Sequence, residues 1–304
     1  MPHDYIYGFF GLLSEQDRAL TNVDYQGSHW DLYRSVTKRL LAKKGLQGMK
    51  PFSTLSFSGP SERPSWIPDF GNQSMAGPQS GVLLTMDECW QDQPAVRFSD
   101  DNEVLMLAGV LLGEVTWLRA LTGTMRDSIK NFRELSSLAK ATAPGSGLVS
   151  LRRMFTGNNF GRGPVLTYEI EPVELDRCWD VLMDDIYTLD TLLLSGDGEI
   201  PRPELDGLST SIVCSILGAT AMNASIGRSL FATNTGLIGI SVPQVQLGDS
   251  LVYLFGMFAP FVLRLEWDRY QIVGVSRVAG LEDATLMERY CTEQQVTEAT
   301  FRLG

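Results

Sequence analysis

The sequence predicts an α+β domain: a curved antiparallel sheet or small β-barrel packed with several α-helices. Three observations carry this. Residues 227–275 alternate apolar and polar positions between closely spaced turn residues, the period of short antiparallel strands. Stretches near 28–45 and 171–194 instead repeat apolar residues at helical spacing. A hydrophobic share of 44% beside a charged share of 20% is that of a chain with a packed core. Its 304 residues suffice to bury most of the apolar surface without a metal or disulfide, and residues 1–304 read as one domain.

The opening segment Asp4-Tyr5-Ile6-Tyr7-Gly8-Phe9-Phe10-Gly11-Leu12-Leu13 is too aromatic to leave in water and is expected to dock on the core as a short helix or strand. Ser28 then caps a helix with Asp31 in its first turn, an apolar face of Trp30, Tyr33, Val36, Leu40 and Leu41, and Arg39, Lys43 and Lys44 before Gly45. In Arg63-Pro64-Ser65-Trp66-Ile67-Pro68-Asp69-Phe70, two prolines fix an extended path and two aromatics supply burial, so this is an ordered loop. Strands are expected over Val82–Met86, Ala95–Phe98 and Val104–Trp117, the last bent by a bulge at Gly109 or Gly113.

Helices are expected over Thr124–Ala141, from Glu171-Pro172 to about Leu194, and from Leu208 to about Ser225. Between the first two, the glycine- and arginine-rich stretch 144–164 matches no phosphate-binding loop and reads as a mobile surface loop or lid. Asp180, Asp184 and Asp185 read as the solvated face of their helix, since no His or Cys accompanies them. The β block follows: Ser229–Thr233 and Leu237–Ile240 around the Asn234-Thr235-Gly236 turn, then Ser250–Phe255, Phe261–Glu266 and Tyr270–Val275. A helix over Glu282–Cys291 and a strand over Val296–Leu303 close the chain.

A net charge of -11 leaves no basic surface on which a phosphate backbone would track, so nucleic acid is not an expected partner. Met1–Phe10 lacks the pattern of a secretory signal, and a cytoplasmic location is expected. The longest apolar run, Leu251–Leu263, is too short to span a bilayer and is broken by Gly256 and Pro260, so no integral membrane segment is expected. Cys89, Cys178, Cys214 and Cys291 lie far apart and read as reduced, packed thiols.

Three separated matches carry a family resemblance: D-Y-I-Y-G-F-F-G-L-L with the following V-D-Y and D-L-Y; P-S-W-I-P-D-F; and G-R-S-L-F-A-T-N-T-G-L-I-G-I, continued by Q-L-G-D-S-L-V-Y-L-F-G, P-F-V-L-R and Y-Q-I-V-G-V. In order and spacing the chain resembles the C-terminal region of fungal heterokaryon-incompatibility (HET) domain proteins. The resemblance covers most of the chain. Two departures qualify it. The N-terminal HET signalling module, with its W-I-D-x-x-C-I-N-Q type motif, has no counterpart here, and an aromatic-valine-histidine-glycine run is replaced by Ser276-Arg277-Val278-Ala279-Gly280. A HET C-terminal scaffold without its signalling half implies recruitment to another task, and the fungal setting suggests specialised metabolism.

The motif inventory narrows the chemistry. There is no H-E-x-x-H, G-x-S-x-G, Walker loop, dinucleotide fingerprint or zinc-ligand spacing, so neither metal nor cofactor is expected. Only His3 and His29 are available for a nucleophilic triad. What remains is catalysis by orientation and fixed dipoles: a cofactor-independent cyclase or isomerase, a pericyclase of Diels–Alder-like type included, acting on a hydrophobic small molecule. The expected catalytic residues are Tyr25, His29, Asp69, Arg228 and Arg264. Trp66, Phe70, Trp117, Trp179, Tyr253, Phe255 and Trp267 are the expected substrate-binding wall. Taken singly, each aromatic reads first as core, Asp249 after Gly248 as a turn former, and Arg228 and Arg264 as partners of Asp69 or Glu266 in buried ion pairs. The alternative is a non-enzymatic recognition or regulatory module with a protein partner.

Overall fold

The computed structural model describes residues 1–8, 23–44, 64–70, 96–101, 103–121, 131, 134–135, 137–138, 154, 173, 176–179, 204–205, 208–209, 227–257, 259–281 and 284–304. Among them the helices are α1 (Asp4–Tyr7), α2 (His29–Lys44) and α3 (Ala284–Glu293). The strands are β1 (Arg97–Phe98), β2 (Leu105–Ala120), β3 (Glu204–Leu205), β4 (Leu208–Ser209), β5 (Ser229–Thr233), β6 (Ile238–Ser241), β7 (Ser250–Leu254), β8 (Phe261–Glu266), β9 (Arg269–Val275), β10 (Arg277–Val278) and β11 (Glu298–Leu303). The α+β class expected from the sequence is the class observed.

β2 organises the sheet. Leu105–Val110 pair with β11, Gly109–Glu114 with β7 and Val115–Ala120 with β5, all antiparallel. Backbone N–H and C=O groups of adjacent residues point to opposite edges, so β11 and β5 share one edge of β2 and β7 takes the other. β7, β8, β9 and β11 then lead back to β2, giving a nine-stranded sheet among the described residues that is ring-like but not a barrel. Of the curved antiparallel sheet or small barrel expected, the barrel does not form, and the sheet among the described residues is antiparallel except at one joint. β11 pairs with β9 in parallel, with Leu303 opposite Tyr270 and the Gly304 N–H donating to Tyr270 O (3.0 Å). The Pro64–Phe70 loop reinforces this joint: the Ser65 N–H donates to Gly304 O (2.7 Å), and Ser65 Oγ accepts from the Ile272 N–H (2.9 Å).

The predicted bulge lies at Gly113, where the β2–β7 register shifts after Leu111. One extra residue inverts the side-chain alternation, so Val115 shares a core with Val110 and Leu112 despite the odd spacing. Glycine is required there by close approach: a Cβ would stand 2.6 Å from Thr235 Oγ1. That hydroxyl donates to Leu112 O (2.7 Å), and the Glu114 N–H donates to Asn234 Oδ1 (2.9 Å), so the β5–β6 turn clasps the bulge.

Two apolar clusters occupy the two sides. Leu105, Leu107, Val252, Leu254, Phe261, Leu263 and Ile272 pack under Leu32, Tyr33 and Leu41 of α2 and under Trp66 and Ile67. Val110, Leu112, Phe231, Leu251, Tyr253 and Val262 pack with Met287 of α3. Burying each such side chain contributes about 1.5–3 kcal/mol. α2 starts where its cap is expected, with the Trp30 N–H donating to Ser28 Oγ (3.2 Å).

Leu208–Ser209 form strand β4 against β3, correcting the expected helix start at Leu208. The rest of that stretch to Ser225, the strand expected at Val82–Met86 and, apart from Met154, the 144–164 loop lie outside the described residues. Within the expected helices 124–141 and 171–194, the described residues 131, 134–135, 137–138, 173 and 176–179 are helical. No helix among the described residues is long and apolar enough to cross a membrane.

Candidate functional site

The twelve expected site residues separate into different places, and one group assembles. Trp66 and Phe70 belong to the α2 side and Tyr253 and Phe255 to the α3 side, so the sheet itself stands between them. Trp66 is fully buried, with its indole N–H on Glu103 O (3.1 Å) and its ring 5.5 Å from that of Phe98. The Tyr253 hydroxyl donates to Met257 O (3.1 Å). Trp117 lies half-buried on β2 with the Arg119 guanidinium over its ring, and Trp179 is buried in the 176–179 helical turn. Trp267, at the β8–β9 turn, is 98% exposed. These aromatics form no common wall.

Arg264 is engaged structurally. Its Nε and Nη2 donate to the two oxygens of Asp249, each at 2.9 Å, and Nη2 also to Gln244 O (2.9 Å). Asp249, 3% exposed, accepts the Gln246 N–H as well, which makes it both the turn former expected and the partner of Arg264. The partner is therefore neither Asp69 nor Glu266. Asp69 is half-buried in the Pro64–Phe70 loop. Arg228 is buried just before β5.

Tyr25 and His29 come together, in company the sequence reading did not assign. α1 and the Val23–Ser28 turn fold against the start of α2, so that His3, Tyr7, Tyr25 and His29 form one ring cluster. His3 lies 5.5 Å from Tyr25 and 6.0 Å from both Tyr7 and His29, centroid to centroid, and Tyr7 lies 5.1 Å from Tyr25. His29 continues it to Trp30 (4.6 Å) and Tyr33 (5.5 Å), and Tyr33 to Phe70 (4.9 Å). The phenolic hydroxyls are oriented. The Tyr25 hydroxyl donates to Asp4 Oδ1 (2.8 Å), the Tyr7 hydroxyl to Asp24 O (3.1 Å) and the Tyr33 hydroxyl to Pro2 O (2.8 Å). Asp24 Oδ1 holds the turn by accepting the Gln26 and Gly27 N–H groups.

His3 is 6% exposed. Its Nε2 lies 3.0 Å from Gly27 O; a carbonyl only accepts, so the neutral ring carries its proton on Nε2. Nδ1 is then a lone-pair acceptor, buried and without a hydrogen-bond partner among the described residues. Around it the electrostatics are local. The Asp4 carboxyl is held below the usual carboxylate range by the Met1 ammonium and by the Tyr25 hydroxyl, and the phenol of Tyr25 is raised by the bond to Asp4. The cluster thus offers a buried basic nitrogen, phenolic donors and an apolar aromatic flank, the means for moving a proton or polarising a carbonyl. Two of its members were not expected there: His3, whose one signal is that it is the only other histidine, and Tyr7, from the aromatic opening segment.

Searches of the chain against protein-family models, curated proteins and solved structures found no match in any of the three.

Proposed function

We propose that this protein is a cofactor-independent cyclase or isomerase of a hydrophobic small molecule, with the His3–Tyr7–Tyr25–His29 cluster as its reacting centre. The observation that supports it is the buried Nδ1 of His3, without a hydrogen-bond partner among the described residues, in a ring 6.0 Å from that of the second histidine. An unsatisfied buried acceptor costs about 1–3 kcal/mol, a cost that a proton-transfer task rationalises. In this reading His3 accepts a proton or a hydrogen bond from substrate, Tyr25 or His29 donates one, and Trp30, Tyr33 and Phe70 hold the apolar body. The resemblance to HET C-terminal regions, with the fungal setting it implies, is the basis for placing the substrate in specialised metabolism as a terpenoid or polyketide.

The test is incubation of the full chain with a panel of unsaturated terpenoid and polyketide ketones, scored by chromatography and mass spectrometry. The expected outcome is an isomeric product of unchanged mass, formed about 100-fold more slowly by His3→Gln. Folded protein that neither converts nor binds any of the panel would overturn the assignment.

Trp267 favours a second reading, as a recognition module. It holds φ 60 in the two-residue β8–β9 turn, a backbone region that disfavours non-glycine residues, and it presents its whole indole to solvent. Trp267→Gly would relax the turn and, under this reading, abolish partner binding while leaving the fold intact.

A further inference from the structure

We infer that the β5–β6–β10 ribbon carries a binding site for an oxyanion, the carboxylate or phosphate group of a small ligand, held by Arg277 together with Arg228. Leu230, Ile240 and Arg277 form one row across the three strands. Arg228 lies two residues before Leu230, and strand alternation puts it on the same face. Both arginines are withdrawn from water. Arg228 is 7% exposed, and Arg277 is half-buried with its Nη2 sealed off and without a hydrogen-bond partner among the described residues.

The two cations also repel one another. Arg228 is lowered to about 10, first by burial and then by the charge of Arg277, and Arg277 is itself lowered by burial. A chain with 36 acidic residues has ample means to neutralise a buried guanidinium, yet no ion pair joins Arg277 to a described carboxylate. An entering oxyanion would satisfy the orphaned Nη2 and cancel the repulsion in one step. The planar guanidinium fork matches the spacing of carboxylate and phosphate oxygens and favours those groups over a spherical anion. None of these residues belongs to the ring cluster, so the site stands or falls independently of the proposed catalysis.

The test titrates the full chain with inorganic phosphate and, separately, with benzoate, by calorimetry and thermal unfolding, with sodium chloride holding ionic strength constant. At least one of the two is expected to bind one-to-one and to raise the unfolding temperature with concentration, and the arm that responds identifies the group. Arg277→Met should weaken that binding by about tenfold or more, and should unfold at a higher temperature than the wild type when no anion is present. Arg277→Lys, which keeps the charge but not the fork, should bind more weakly than the wild type and more tightly than Arg277→Met. Wild-type protein indifferent to both anions, or an Arg277→Met protein that binds them as the wild type does, overturns the proposal.

Discussion

At the mouth of β7, Arg264 reaches across from β8 and closes both ends of its fork on the buried carboxylate of Asp249. On β10 of the same sheet, Arg277 is half-buried with an unbonded nitrogen and a second arginine for company. The chemistry is the same and the arrangement is opposite. The first site is complete in the folded chain and contributes geometry: it ties the 243–249 loop to the β7–β8 hairpin. The second is complete only when something else arrives. A satisfied arginine reports on architecture; an unsatisfied one reports on a ligand.

Breaking the complete site should have the largest effect. Arg264→Met leaves Asp249 charged and nearly inaccessible, and is expected to cost about 3 kcal/mol in a denaturant titration. A loss below a few tenths would mean that Asp249 has other compensation and that the contrast with Arg277 is weaker than drawn. Gly239→Ala comes next. Its new Cβ would overlap the Phe231 ring and stand 2.8 Å from Arg277 O, so overpacking should destabilise the protein by about 2 kcal/mol. Because it displaces the β10 backbone as well, it should also weaken anion binding, coupling the packing of this ribbon to its charge.

Arg277→Met is expected to act in the other direction, raising stability by about 1 kcal/mol because an apolar side chain replaces an unpaired, desolvated cation. Opposite signs for two arginine-to-methionine changes on one sheet would be the sharpest form of the comparison. The smallest effect belongs to the N-terminal cluster. With Asp4→Asn the negative acceptor facing Tyr25 is gone, so the Tyr25 phenol should ionise at lower pH than in the wild type, read by tyrosinate absorbance. In the wild type the same contact is present above the ordinary carboxylate range and is lost only as pH falls through the lowered pKa of Asp4.

Much of the sheet was legible because alternation is a local property. β5 and β8 fall where the apolar period and turn residues place them, β6, β7, β9 and β11 within one or two residues of that, and Gly113 marks its bulge. Ring closure was not legible. It rests on β2 pairing with β5, β7 and β11, all more than a hundred residues away, and alternation carries no information about partners. The candidate site was half visible. Tyr25 and His29 stood out by residue type, whereas His3 acquires its role only because α1 folds back onto Gly27. Arg277 had a fainter signal, a single cation beside Ser276 between Val275 and Val278.

The exposed indole of Trp267 has an optical consequence. Trp66 and Trp179 are sealed in the interior and should emit at short wavelength beyond the reach of iodide, while Trp267 should emit to the red and be quenched at once. The folded protein therefore carries its own surface reporter at the β8–β9 tip. Anything that seats there, a partner or a second copy of the chain, would announce itself by protecting that red component, with no label attached.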